Sequence, residues 1–344
     1  MPDIGQPSPA SVLHARLLTL DSHIDIPWPE TPDPFMPSQR RVDMLKMAAG
    51  GMRAGCFVAY IPQGPLTPES WASARDRTRT MLDDIGGMAR TAAGITARRT
   101  STVAQITDAV RDGAIAIIPA VENGHAIGQD LGLLADYRDR GACYMTLTHN
   151  GHNALCDSSN PRADLGDGPA LHGGLSPLGR DAVAEMNRLG LLVDVSHVSK
   201  NAMLQAARLS RVPVVATHSC IHALCPVPRN LDDEQLDALR DTGGLIQITA
   251  VASFLVRYGR ADAVGVAQYV DHLDYAVARC GVAHVGISSD FDGGGALSDW
   301  RDASQSANLT AELLRRGYGA DDIALLWGGN FLRLMAEAER VASL

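Results

Sequence analysis

Seven imidazole and carboxylate side chains, His23, Asp25, Glu122, His149, His197, His218 and Asp290, sit at the ends of short apolar runs. Imidazole nitrogen and carboxylate oxygen are donors for zinc and similar divalent cations, and a bound cation makes water a nucleophile near neutral pH. The set therefore suggests metal-assisted hydrolysis. His23 and Asp25 are two positions apart, so in an extended chain both face one side while Ile24 faces the packing. Glu122 has three readings: it bridges two cations, it pairs with a base, or it caps the next helix. His197 and His218 close two successive apolar runs, which favours ligands over isolated structural histidines. His149 reads as a further ligand or as a hydrogen-bond donor to substrate.

Asp290 lies at a strand end and is the better general base. Asp292 reads as a turn residue, and Gly293-Gly294-Gly295 as a flexible loop, because no Lys-Ser/Thr follows as in a phosphate loop. Arg229, in a Pro-rich loop, can clamp a carboxylate through its planar fork. No GxSxG elbow is present, and no cysteine has the context of a nucleophile.

The elements that must position these residues alternate. Apolar runs end at Asp21-Ser22-His23, Tyr60, Glu122, His149, His197, His218, Thr249 and Asp290. The run before Glu122 contains Pro119, which predicts a distorted strand end. Amphipathic stretches predict helices over Ser70 to Ala93, Asp232 to Leu239, Val264 to Cys280, Leu309 to Arg316 and Ile323 to Ala338. A further helix is predicted from the Ser176-Pro177 cap to Gly190. Eight such runs with helical crossovers predict an α/β fold, a (β/α)₈ TIM barrel with chemistry at the strands' C-terminal ends. The competing fold, an open doubly wound sheet, lacks its GxGxxG loop. Residues 1–14 read as a flexible tail and 15–344 as a single catalytic barrel.

Of 344 residues, 46% are hydrophobic and 20% charged, with a net charge of −9. That balance excludes a broad basic surface for nucleic acid and a polybasic membrane patch. No apolar run is long enough to span a bilayer and no secretory signal is read at the start, so a cytoplasmic location without a membrane partner is expected. The six cysteines form no CxxC pair and read as reduced and structural.

Taken together the motifs resemble the membrane (renal) dipeptidase family of zinc peptidases, in particular its bacterial members. The resemblance is carried by Leu20-Asp21-Ser22-His23-Ile24-Asp25, Ala120-Val121-Glu122-Asn123-Gly124 and Leu147-Thr148-His149-Asn150. It continues through Gly174 to Arg180, Val193 to His197, Thr217-His218-Ser219, Pro228-Arg229-Asn230, Ser289 to Gly293 and Gly329 to Arg333. It implies a metal-dependent barrel with two zinc ions, one held by His23 and Asp25, the other by His197 and His218, and Glu122 bridging. It further implies that His149 bonds the scissile carbonyl, Arg229 holds the C-terminal carboxylate of a dipeptide, and Asp290 shuttles the proton. Family members are often dimers, so a homodimer is an expectation of the resemblance. Two departures, Asn123 where glycine is common and Ser288-Ser289 before Asp290, are expected to touch the pocket lining. The alternatives are a binuclear amidohydrolase acting on a non-peptide amide or lactam, and a non-enzymatic metal-binding barrel.

Overall fold

The computed structural model describes residues 8–343. Ten strands follow in chain order: β1 (Leu20–Asp25), β2 (Ala54–Tyr60), β3 (Thr91–Ala92), β4 (Ile95–Arg99), β5 (Ile115–Glu122), β6 (Tyr144–Thr146), β7 (Leu192–Asp194), β8 (Val215–Ser219), β9 (Leu245–Ile248) and β10 (Val285–Ile287). Eight run side by side in the order β1-β2-β5-β6-β7-β8-β9-β10, with parallel pairing between neighbours. Just past β10 the chain returns to β1: Asp25 N–H donates to Phe291 O (3.0 Å) and Asp290 N–H to His23 O (3.1 Å). The sheet thus closes into the expected (β/α)₈ barrel.

Alternation along each strand decides which side chains reach the interior. In β2, Phe57 and Ala59 join the larger apolar cluster shared with the helices, whereas Ala54, Cys56 and Val58 belong to a second cluster. The same parity in β5 places Ala116, Ile118 and Ala120 together. Continued by one step, it carries Tyr60 and Glu122 to the barrel mouth. In β1, Ile24 is fully buried in the larger cluster, so His23 and Asp25 face the other way.

Several expectations are corrected. The first run was expected to end at Asp21-Ser22-His23, but the strand spans Leu20–Asp25, so His23 is inside it. Asp21 makes this tolerable, because its Oδ1 accepts from His23 N–H (3.2 Å) and Ser289 N–H (3.0 Å). The helix predicted to Ala93 ends at Gly87, and β3 and β4 follow as an antiparallel pair, with β4 also joining β5. Pro119 causes no distortion of β5, whose register with β2 is unbroken. Ile117 O and Pro119 O accept from Thr100 N–H and Cys143 N–H, so the side lacking a proline donor faces the gap between β4 and β6. The helix expected over Ile323 to Ala338 is instead Ala320–Ala324, a wide turn Leu325–Gly329, and Asn330–Ala342.

The flexible tail expected through residue 14 is helical over Pro9–His14, capped by Ser8, and His14 is buried against Thr310 Oγ1 (2.7 Å) and Gly50 O (2.8 Å). The tail's first seven residues lie outside the described ones. By contrast, the helix Pro177–Leu189 has its predicted ends: Ser176 accepts from Gly179 N–H, Pro177 opens the first turn, and Gly190 closes it at φ 70°. All six cysteines are buried and free.

Candidate metal and substrate site

The mouth of the barrel opens into a cavity of about 550 Å³. Asp25, Glu122, His149, His197, His218, Arg229 and Asp290 line it, and His23 lies beneath with no exposure. All the residues singled out in the sequence therefore meet in one place. Glu122 is the centre. Its Oε2 is 3.5 Å from His23 Nε2, while its Oε1 is 3.2 Å from His197 Nε2 and 3.4 Å from His218 Nε2. Asp25 Oδ2 and Asp290 Oδ1 approach His23 Nε2 at 3.9 and 4.0 Å, and His149 Nε2 is 4.0 Å from Glu122 Oε1. Three overlapping donor groups result: His23 with Glu122 and His218, Glu122 with His149 and His197, and His23 with Asp25 and Asp290.

Three of the imidazoles, those of His23, His218 and His197, are turned by a hydrogen bond at Nδ1. Tyr144 OH donates to Ser22 O (2.8 Å), so its oxygen accepts from His23 Nδ1–H (2.9 Å). Thr217 Oγ1 donates to Asp194 Oδ2 (2.7 Å) and accepts from His218 Nδ1–H (2.9 Å). His197 Nδ1–H points to Asn150 Oδ1 (3.3 Å). With Nδ1 protonated, these three rings can each turn an Nε2 lone pair to a cation at the centre. His23 Nε2 is buried without a hydrogen-bond partner, and His197 Nε2 stands 2.9 Å from His218 Nε2. Two lone pairs that close, beside an orphaned third, fit cations: the donor set is the nitrogen and oxygen chemistry that zinc prefers.

Electrostatics agree. Burial would raise Glu122, but the His23 and His149 imidazoles hold its carboxyl well below the usual range. Burial, reinforced by the neighbouring Glu122 charge, pushes Asp25 well above it. Burial raises Asp290 to about 7; His23 opposes this and Glu122 adds to it. Burial lowers His218 to about 3, and lowers His197 and His149. Burial also works against a proton on His23, yet Glu122, Asp25 and Asp290 together lift it to about 10. Carboxylates crowded in a dry site must find positive charge, from protons or from bound cations.

Backbone geometry supports the aim of these side chains. His197, Asp290 and Asp292 have φ of 66°, 58° and 65°, a region few non-glycine residues adopt outside turns and sites. Gly293 passes so close beneath that a Cβ there would lie 2.0 Å from Asp25 Oδ2 and 2.5 Å from Asp290 Oδ1. The triple glycine is therefore not a loose loop. Gly293, Gly294 and Gly295 N–H all donate to Asp290 O. Asp292 turns away from the cluster, its carboxylate accepting from Arg41 and Val42 N–H (2.7 and 3.2 Å), in line with the turn role read from the sequence.

Arg229 is buried, with one N–H given to His218 O (3.0 Å), its Nε unpartnered and its guanidinium 5.5 Å from the Phe254 ring. No carboxylate lies within ion-pair distance among the described residues. An uncompensated buried cation is costly, so the arrangement fits an anionic ligand.

Sequence reasoning missed Trp28, Tyr60, Arg77, Asn150 and Phe254 on the cavity wall. Tyr60 was readable from strand parity, and Asn150 stands in the quoted motif Leu147 to Asn150 with no role assigned to it; Trp28, Arg77 and Phe254 sit on loops and helices with no local signature. The two departures noted above line nothing. Asn123 adopts φ 88°, which explains why glycine suits that position, and is held by bonds to Ile61 O and His125 N–H. Ser288 and Ser289 are fully buried beneath the site.

Fold and site together define a (β/α)₈ barrel with a histidine–carboxylate mouth, the architecture of metal-dependent hydrolases. Within that class the chain belongs to the membrane dipeptidase family, peptidase family M19, which it matches over residues 8–344. It is 37% identical over 231 residues to dipeptidase aclJ of Aspergillus oryzae, covering 67% of this chain but only about half (53%) of that relative's length. Among solved structures it is similar to the probable dipeptidase PvdM of Pseudomonas aeruginosa, with 30% identity, a TM-score of 0.91 and coverage of 97% and 98% of the two chains. It is also similar to a metallopeptidase of Rhodobacter sphaeroides liganded with a phosphinate mimic of the dipeptide L-Ala-D-Ala, with 26% identity, a TM-score of 0.83 and coverage of 94% and 99%. No helix among the described residues is long and apolar enough to cross a membrane.

Proposed function

We propose that this protein is a zinc-dependent dipeptidase with two metal ions per chain, bridged by Glu122. The observation that carries this reading is the division of Glu122: one oxygen faces His23, and the other faces His197 and His218. His23 and Asp25 are assigned to one cation, and His197 and His218 to the other. When bound, such a pair acidifies water toward neutrality and polarises the carbonyl to be attacked.

The remaining steps belong to side chains. Arg229 receives the substrate's C-terminal carboxylate in a bidentate pair, its plane steadied by Phe254. That contact sets the register, so the bond presented to the cluster is one residue from the C-terminus. His149 is kept neutral by burial and donates to the carbonyl oxygen as negative charge develops there, a contribution of typically about 3 kcal/mol. Asp290 accepts the proton of the attacking water and delivers it to the leaving amine. Its carboxylate lines the cavity beside the donor cluster, 4.0 Å from His23 Nε2, which places it for both halves of that task.

The test is hydrolysis of L,L and L,D dipeptides, and of the same compounds amidated at the C-terminus, by zinc-loaded protein. Free dipeptides are cleaved, chelation abolishes turnover, and amidation costs at least about tenfold in kcat/KM because Arg229 loses its partner. Zinc-loaded protein that cleaves no dipeptide, or cleavage indifferent to chelation, would overturn the reading.

A further inference from the structure

A second unpaired guanidinium lies across the mouth from Arg229. Arg77 comes from the helix Pro68–Gly87 that follows β2, and it lines the same cavity. Its guanidinium carbon is 5.3 Å from the Trp28 ring and 5.9 Å from the Tyr60 ring. Its Nε donates only to the Met81 sulfur (3.5 Å). Every other ion pair near the mouth uses a different cation, and no carboxylate comes within 4.0 Å of Arg77 among the described residues. The neighbouring Arg162, by contrast, is paired with Asp164.

The position of Arg77 follows from barrel order. Trp28 follows β1 and Tyr60 ends β2, whereas Arg229 follows β8 and Phe254 follows β9. In the closed order β1-β2-β5-β6-β7-β8-β9-β10, β2 and β8 are four places apart, on opposite sides. The donor cluster lies between the two arginines. Tyr60 ties the Arg77 side to the reaction centre, with its ring 4.8 Å from His149, edge to face.

We propose that Arg77 makes the enzyme selective for dipeptides whose N-terminal residue carries an acidic side chain. The inference rests on the dipeptidase reading and on Arg229 as the carboxylate anchor. A dipeptide anchored at Arg229, with its scissile bond at the cluster, directs its N-terminal residue toward the β1–β2 wall. Two aromatic rings flank the Arg77 guanidinium and its terminal N–H groups make no hydrogen bond among the described residues, so they are left for a ligand. The arginine is half-buried, which strengthens a charge-assisted pair relative to open solvent. Cations bound at the cluster would offset the carboxylates around it, leaving the two arginines to favour a substrate with two negative groups.

The experiment compares L-Glu-L-Ala with its neutral isostere L-Gln-L-Ala, using zinc-loaded wild type, Arg77→Gln and Arg77→Lys. Wild type prefers the acidic substrate by about tenfold or more in kcat/KM, mostly through KM. Arg77→Gln brings the ratio close to one, and Arg77→Lys, which keeps charge but not the planar fork, retains part of it. Calorimetric titration with phosphinate analogues of the same two dipeptides reads the same discrimination as binding, independent of turnover. A wild-type ratio near one, or a ratio unmoved by Arg77→Gln in folded protein, overturns the proposal and means that Arg77 merely stacks on the mouth. In that case hydrolysis of L-Gln-L-Ala leaves the dipeptidase reading standing; hydrolysis of neither compound, nor of L-Ala-L-Ala, takes both down.

Discussion

His23, His197 and His218 present Nε2 because another group holds Nδ1 of each. The relay from His218 through Thr217 to Asp194 is the most fully connected, since Asp194 also accepts from Thr146 Oγ1 and from Ser196 and Thr217 N–H. Partners of this kind fix the ring and its tautomer, and losing one typically costs about 10–100-fold in metal affinity or activity. Thr217→Val keeps the shape but offers no acceptor to Nδ1. Zinc affinity by competitive chelator titration is expected to fall within that range. Asp290→Asn makes the opposite test. The proton carrier is lost while the set His23, Asp25, Glu122, His197 and His218 is intact, so two zinc ions remain by elemental analysis and turnover falls by about 10²–10⁴-fold. A variant that loses one zinc instead would reassign Asp290 as a ligand, which its 4.0 Å approach to His23 Nε2 makes a meaningful alternative.

At the scale of elements, the sequence reveals strands whose ends carry chemistry better than those that only support them. The end of β2 at Tyr60 was readable because its apolar run is uninterrupted. The first strand was misplaced because Asp21, Ser22, His23 and Asp25 look like a loop until one knows that barrel partners satisfy them. The strands Thr91–Ala92 and Ile95–Arg99 were invisible: they are short, partly exposed and follow helical residues without a break in pattern. The site residues were legible because metal donors are few and distinctive; Arg77 was not, because one arginine on an amphipathic helix resembles any other. A further buried histidine lay outside the site's logic. His125, in the turn after Glu122, accepts from Gln63 Nε2–H at Nδ1 (3.1 Å) and donates Nε2–H to Ser70 Oγ (2.9 Å), an arrangement only the neutral ring satisfies. Burial lowers it from 6.5 to about 4. The unfolded chain therefore binds the proton first: this contribution to stability is complete above about pH 6.5 and is lost as pH falls toward 4. His125→Gln is expected to flatten the dependence of stability on pH across that window, measured by urea unfolding at successive pH values. An equally steep slope in the variant would place the acid sensitivity elsewhere.

For the whole molecule, the cluster is also a set of joints. Its donors come from β1, from the ends of β5 and β8, and from the turns after β6, β7 and β10, so a cation bound there links most of the barrel's circumference. Without cations, the same positions hold crowded carboxylates and two facing imidazole lone pairs at 2.9 Å. A ligand that binds only the folded state adds stability as the logarithm of its concentration over its dissociation constant, about 4 kcal/mol at a thousandfold excess. In a chain of this size each kcal/mol moves the melting temperature by roughly 2–3 °C, so full chelation is expected to lower Tm by about 10 °C. Zinc should restore it, and the loss of hydrogen-exchange protection should concentrate in the C-terminal halves of β1, β5 and β8 rather than at Pro9–His14 or the terminal helix Asn330–Ala342. If complete metal removal, verified by elemental analysis, leaves Tm unchanged, the ligand cage is rigid before cations arrive. The arrangement of its imidazoles would then be maintained by Tyr144, Thr217 and Asn150 alone.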